Sequence, residues 1–299
     1  MSKRESIIRY FLIIKKLRQQ AATFSEISDY LNRESELQGY NFTISKRTFQ
    51  RDMEDIGSIY NIDIKYDFSR KLYFIDLDQQ TEISSRIFEA FDIFNALNTS
   101  EQIGSYIHFE NRRSQGTENL YNLLLAIKRN VQIKFSYHKF WENKSSLRTV
   151  EPFALKEFKN RWYLLANDLG DKKVKTFALD RLSELEVSNH KFQRPTNFNV
   201  HDYFKHCFGI ISPNTPEPLE VVLSFNPLQG NYIKTLPIHE SQVILIDNEQ
   251  EFRIKITLYL THDFFMEILS FGDNVKIIEP PSLITKISET SKRILKLYS

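Results

Sequence analysis

Val131-Gln132-Ile133-Lys134-Phe135-Ser136-Tyr137 alternates apolar and polar residues. A period of two puts Val, Ile, Phe and Tyr on one face of a strand and Gln, Lys and Ser on the other. Further strand-like runs occupy 147–155, 162–167, 175–179 and 185–187, separated by turn signals such as Lys159-Asn160 and Asp168-Leu169-Gly170-Asp171. Five short strands within about 60 residues predict a small closed β-barrel. On its neighbouring strands Tyr137, His138, Lys139, Arg148, Lys175 and Arg181 gather aromatic and cationic side chains, suited to phosphate pairing and base stacking. Arg181 follows Asp180 directly, and an ion pair within the chain is the competing role for it. Trp162, inside Trp-Tyr-Leu-Leu-Ala, is expected in the core.

Upstream of the barrel, residues 82–97 and 118–128 show helical spacing (Ile83, Ile87, Phe91, Phe94; Leu120, Leu124, Ile127) around a Ser/Asn/Arg-rich loop near 111–115. They read as a helical linker over 79–130. The first 78 residues have a different design. Residues 5–18 form an amphipathic helix with Ile7, Phe11, Ile14 and Leu17 on one side and Lys and Arg, Arg9 included, lining the rest. Thr23-Phe24-Ser25-Glu26 is a capping box opening a second helix that buries Ile27 and Leu31. After a polar stretch from Glu34 to Asn41, Ser45 caps a third helix whose apolar stripe is Phe49, Met53 and Ile56. Arg47, Gln50 and Arg51 point away from that stripe.

Two strands at 62–66 and 72–75, joined by a polar turn, complete a winged helix-turn-helix. In that geometry the start of the third helix enters the major groove of duplex DNA. Ser45, Lys46, Arg47, Thr48, Gln50 and Arg51 are then the groove-facing set, and Arg70 and Lys71 at the wing tip meet the backbone. A basic triplet on an arbitrary helix is a solvated face. Here the capped helix before it and the two-strand wing after it favour DNA.

Downstream, Thr215-Pro216-Glu217-Pro218 is linker-like. Strand (219–225), helix (227–234), strands (242–246, 252–260), helix (263–270), strand (275–278) and a last helix from Pro281 follow. This βαββαβ order predicts a ferredoxin-like domain over 216–299, of a kind suited to assembly or regulation.

Arg161-Trp162-Tyr163-Leu164-Leu165-Ala166, then Thr176-Phe177-Ala178-Leu179-Asp180-Arg181-Leu182, with Phe135-Ser136-Tyr137 and Arg148-x-x-x-Pro152 before them, resembles the WYL-domain transcriptional regulators. Residues 198–210, ending Phe208-Gly209-Ile210, and a tail with Ser270-Phe271-Gly272, Val275 and Glu279-Pro280 extend the likeness along the chain. The family often has Arg where this chain has Ala178, and Gly where the wing reads Lys71-Leu72. The resemblance implies an Sm-like or SH3-like barrel over 131–212 that senses a nucleic-acid or nucleotide-like ligand, within a homodimeric DNA-binding regulator. It implies Tyr137, Arg148 and Arg181 as the ligand contacts. The fold expected is thus α+β and multidomain. The alternative is an RNA or single-strand binding module without operator recognition.

Other functions find little support in the 299 residues. Apolar residues at 41% and charged residues at 26% fit a soluble globular chain. Lys15, Lys16 and Arg18 stand where a secretory cleavage site would lie, so a cytoplasmic, membrane-free protein is expected. With 8 glycines it has neither G-x-G-x-x-G nor a Walker A sequence. A net charge of +2 confines any nucleic-acid role to local clusters. Cys207, the single cysteine, excludes an internal disulfide and a zinc finger, and beside aromatics it reads as a small buried residue. His201 and His206 are five apart, about 140° around a helix, so no metal site is expected. No G-x-S-x-G, H-E-x-x-H or paired-carboxylate signature marks an enzyme, and no cofactor is expected.

Overall fold

The computed structural model describes residues 3–75, 89, 90, 93, 115–213 and 217–299. Contacts divide the chain into two compact units, 1–110 and 111–299. The expected helix at 82–97 lies outside the described residues except at 89, 90 and 93, which are helical, and so do most of the 111–115 loop and Thr215-Pro216.

In the first unit, caps written in the sequence set the helix starts. Glu26 N–H donates to Thr23 Oγ1 (3.2 Å) while Thr23 N–H donates to Glu26 Oε2 (2.7 Å), opening α2 (Phe24–Gln38) behind α1 (Lys3–Gln19). Gly39, at φ 71°, ends α2 in the left-handed conformation that glycine adopts without strain. Thr48 N–H donates to Ser45 Oγ (3.1 Å) at the head of α3 (Lys46–Tyr60). Between the two helices, buried Phe42 and Ile44 anchor the loop, and Phe42 N–H donates to Ser35 Oγ (2.9 Å). Strands β1 (Ile64–Asp67) and β2 (Leu72–Ile75) pair antiparallel, and β2 is tied back to the start of α2 by reciprocal hydrogen bonds between Ala22 and Tyr73.

Two expectations for α1 are corrected. Arg9 is 3% exposed, and its Nε and Nη2 donate to the two carboxylate oxygens of Asp52 on α3 at 2.7 and 2.8 Å. Ile7 is 41% exposed, while Tyr10, Leu12 and Ile13 join Phe11, Ile14 and Leu17 in the core. The helix is covered by both α2 and β2, so its buried face is wider than one stripe.

In the second unit, a 3₁₀ turn (Thr117–Asn119) leads into α4 (Leu120–Arg129), followed by β3 (Val131–Lys139), β4 (Lys144–Phe158), β5 (Arg161–Asp168), β6 (Lys173–Ala178) and β7 (Leu182–Lys191). The sheet order is β6-β5-β4-β3-β7, antiparallel at every pairing. Its two edges, β6 and β7, are joined by the 3₁₀ turn Leu179–Arg181 alone. So short a link between opposite edges requires the sheet to curl on itself. Phe135 and Tyr137 of β3 accordingly meet Phe177 of β6 edge-on at 5.4 and 5.2 Å between ring centres. Ile133, Phe135, Val150, Leu164, Ala166 and Phe177 fill the interior, closed by Leu123 and Ala126 of α4. Leu124, expected on the buried stripe, is exposed, because the Leu123-Leu124-Leu125 run offers two equivalent faces and packing selects Leu123. Trp162 packs partly buried on this core. The opposite face of β5 is covered too: Leu165 packs with Phe204 of α5 (Val200–Phe204) and with buried Cys207, whose thiol burial pushes up.

The chain ends in β8 (Leu219–Phe225), α6 (Pro227–Thr235), β9 (Val243–Asp247), β10 (Phe252–Leu258), α7 (His262–Ser270), β11 (Val275–Glu279) and α8 (Pro281–Leu295). This is the βαββαβ succession expected, with an antiparallel sheet ordered β11-β8-β10-β9. Phe208-Gly209-Ile210 fastens it to the preceding sheet. Phe208 lies between Phe158 (5.5 Å) and Phe264 (5.6 Å), and the Ile210 amide donates to Asp263 Oδ2 at 3.0 Å. A Cβ on Gly209 would overlap that carboxylate and lie 2.8 Å from the Phe158 ring, so only glycine permits this approach.

Candidate nucleic-acid interfaces

The first candidate surface is the start of α3 with the following hairpin. Lys46, Arg47, Gln50 and Arg51 are all exposed, opposite the buried Phe49 and Ile56; Met53 is half-buried, and the buried stripe also holds Asp52. No carboxylate among the described residues pairs with Lys46, Arg47 or Arg51. Glu5 and Glu26 sit in the first turns of α1 and α2, where acids complement the helix dipole. The first turn of α3 has no acid and carries Lys46 and Arg47 instead, two cations added to the positive end of a helix. Ser45 and Thr48 hydroxyls lie 3.0 Å apart, and Ser45 is committed to the cap.

The hairpin tip is a tight turn built on Asp67. Its Oδ1 accepts from Ser69 Oγ (2.6 Å), Ser69 N–H (2.8 Å) and Arg70 N–H (3.1 Å), and these bonds, the Ser69 hydroxyl foremost, hold the carboxyl below its usual range. Lys71 has φ 57°. That left-handed backbone is the physical reason a glycine suits this position. Arg70, its side chain 78% exposed, reaches Asp67 only at 3.8 Å.

The second candidate surface is the mouth of the curled sheet. Register pairs Phe135 with Arg148, Val150 with Asp168 and Ala166 with Lys175, so these charged residues extend the inward-facing rows beyond the apolar core. There they neutralise one another. Asp168 Oδ2 accepts from Arg148 Nη1 (3.0 Å) and Lys175 Nζ (2.9 Å), Lys175 also meets Asp171 at 2.5 Å, and Arg148 Nε donates to Ser146 Oγ (3.2 Å). Burial pushes the Asp168 carboxyl up, but the Lys175 ammonium, the Gly170 amide and Arg148 outweigh it and leave it below its ordinary value. Tyr137 Oη accepts the Ala178 N–H at 3.2 Å, a contact across the curl. His138 Nδ1 lies 3.3 Å from Ser145 Oγ, and Lys139 pairs with Glu142 at 2.8 Å.

Arg181 differs from the others. It stacks 4.1 Å over the Phe140 ring, its nearest approach to Asp180 is 4.0 Å, and both its buried Nε and the buried Asp180 Oδ1 lack a hydrogen-bond partner. Arg161 takes the other Asp180 oxygen at 3.2 Å. Beside Arg181 the β3–β4 turn presents Phe140 and Trp141, the latter 100% exposed. Sequence reasoning passed over this pair; two large aromatics between Lys139 and Glu142, in a turn that polar residues normally occupy, were the available signal.

Residues 118–187 match the WYL domain, and 217–295 the WCX domain. This chain carries a WYL domain followed by a WCX domain. The curled sheet with α4 is the WYL domain, and the terminal βαββαβ segment is the WCX domain. Comparison with curated proteins gives no match. Among solved structures, proteasome accessory factor B/C (PafBC) of Arthrobacter aurescens is 16% identical, over 94% of this chain and 45% of that one, with a TM-score of 0.37. This chain therefore spans less than half of that protein's length. A CRISPR Cas-related protein is 12% identical over 97% of this chain and 91% of that one, with a TM-score of 0.39. Among the described residues no helix is long and apolar enough to cross a membrane, and no three His, Cys, Asp or Glu side chains group to hold a metal ion. His201 heads the short α5, whereas His206 lies beyond it and faces the Thr257 carbonyl at 3.4 Å.

Proposed function

We propose that this WYL-domain protein is a sequence-specific, DNA-binding transcriptional regulator and a homodimer. In this reading residues 1–78 are the winged helix-turn-helix, 131–212 an Sm/SH3-like sensor of a nucleic-acid or nucleotide-like ligand, and 216–299 a ferredoxin-like domain serving assembly. The observation that carries it is the state of α3: Lys46, Arg47, Gln50 and Arg51 stand exposed, without acidic partners among the described residues, at the helix end that a major groove accepts. Arg70 and Lys71 supply backbone contacts from the hairpin. For the sensor, Arg181, whose buried Nε lacks a hydrogen-bond partner, favours an anion near the Phe140 ring, with Tyr137 and Arg148 as the further contacts of this reading.

The second reading, an RNA or single-strand binding module without operator recognition, draws on the exposed Trp141 and the Phe140–Arg181 stack. One assay separates the two. Full-length protein is titrated against duplexes from the region upstream of its own gene, against random duplex and against single strands, at several salt concentrations. A regulator retards one upstream duplex far more tightly than random duplex; a single-strand module retards none of the duplexes.

A further inference from the structure

The residue that the sequence reading left without a role is Phe68, at the tip of the β1–β2 hairpin and 84% exposed. Turn tips favour Gly, Asn, Asp, Ser and Pro, and a phenylalanine there is neither good turn chemistry nor a core contact. It is also not an isolated surface aromatic. Phe24 meets Phe49 of α3 at 5.6 Å, Phe49 meets Tyr73 at 4.9 Å, Tyr73 meets its register partner Tyr66 at 4.7 Å, and Tyr66 meets Phe68 edge-on at 5.0 Å. A continuous column of rings thus runs from the core of the recognition helix to the wing tip. The Asp67 carboxylate, the one acid in the turn, is folded onto the Ser69 and Arg70 amides, which stiffens the tip and leaves the exposed Arg70 and Lys71 as the charges that follow Phe68 in the turn.

We propose that Phe68 is a wedge for duplex DNA: the wing tip enters the minor groove, Arg70 and Lys71 hold the flanking phosphates, and the Phe68 ring inserts at a TA step, which it unstacks and bends. Such steps are the easiest in duplex DNA to open, and apolar side chains braced from behind are what opens them. Bracing matters because a mobile ring would spend the contact on its own ordering. The proposal rests on the duplex-binding reading of α3 and adds to it a contact that reads deformability rather than base edges.

The test uses the full-length protein and duplexes that it enriches from a random pool, with 2-aminopurine replacing the adenine of each TA step and dyes at the duplex ends. Wild-type protein is expected to raise 2-aminopurine emission at one step and to shorten the end-to-end distance. Phe68→Ala should abolish both signals and weaken binding to TA-containing duplexes about tenfold, with little change on duplexes lacking the step. Phe68→Leu, which keeps an apolar wedge, should retain both signals. Arg47→Ala should weaken binding without altering the emission of the bound fraction. Unchanged emission and bend with Phe68→Ala overturn the wedge while leaving the DNA-binding reading standing. A change in protein mass by light scattering with no change in DNA signals makes the tip a protein contact and overturns it as well. Failure of the wild-type protein to enrich any duplex overturns both.

Discussion

The two cationic surfaces are built in opposite ways. At the head of α3, Lys46, Arg47 and Arg51 have no acidic partner among the described residues, so an anion reaching them has no ion pair to displace. At the mouth of the curled sheet, Arg148 and Lys175 are already held by Asp168 and Asp171. A ligand there must exchange those pairs for its own, which makes binding weaker and sensitive to the state of Asp168. Counting Lys and Arg does not distinguish the two surfaces; what surrounds each cation does.

The largest effect is expected where an ion pair has no access to water. Asp52→Ala strips Arg9 of its bidentate acceptor inside the first unit, and the loss should be about 3–5 kcal/mol of stability, read by chemical denaturation of that unit. Next come Arg47→Ala and Arg51→Ala, each weakening binding to the enriched duplex by about 1–3 kcal/mol with denaturation midpoints unchanged. If anisotropy titrations give wild-type affinity for the double variant, the unpaired cations of α3 are a solvated face and the contrast between the surfaces collapses.

At the mouth of the curled sheet the same logic predicts a gain. Asp168→Asn should cost about 1–3 kcal/mol of stability through its lost charge-assisted bonds, yet raise affinity for a short single strand or inorganic phosphate, because Arg148 is released while Lys175 keeps only Asp171. Arg181→Ala should lower that affinity in both backgrounds. The pH dependence has a definite sign. Because the folded-state carboxyl of Asp168 is depressed, its contribution is complete above the unfolded value near pH 4 and is lost as pH falls through the lower folded value. Acid titrations of wild type and Asp168→Asn should therefore begin to converge as pH falls below about 4, and curves that stay parallel would exclude the assignment. The smallest effect belongs to Lys71→Gly. Relief of the left-handed backbone offsets glycine's greater freedom when unfolded, leaving stability within about 1 kcal/mol, while the salt slope of duplex binding drops by about one charge.

Where structure follows from neighbours along the chain, it was legible in the sequence. The capping box at Thr23, the cap at Ser45, the stripe of α3, the alternation in β3 and the βαββαβ order all reside in spacings of two to four residues, and backbone geometry converts such spacings directly into faces and ends. The exposed cations of α3 follow from the same rule. What the tertiary structure alone decided is which charges are compensated. Arg9 meets an acid 43 residues away, Arg148 one 20 residues away, and Arg181 stacks on a ring of another turn while reaching the acid next to it only at 4.0 Å. Those partners depend on strand register and helix docking. The pairing energies act over a few ångströms in space, and separation along the chain carries no information about that distance until the fold has closed.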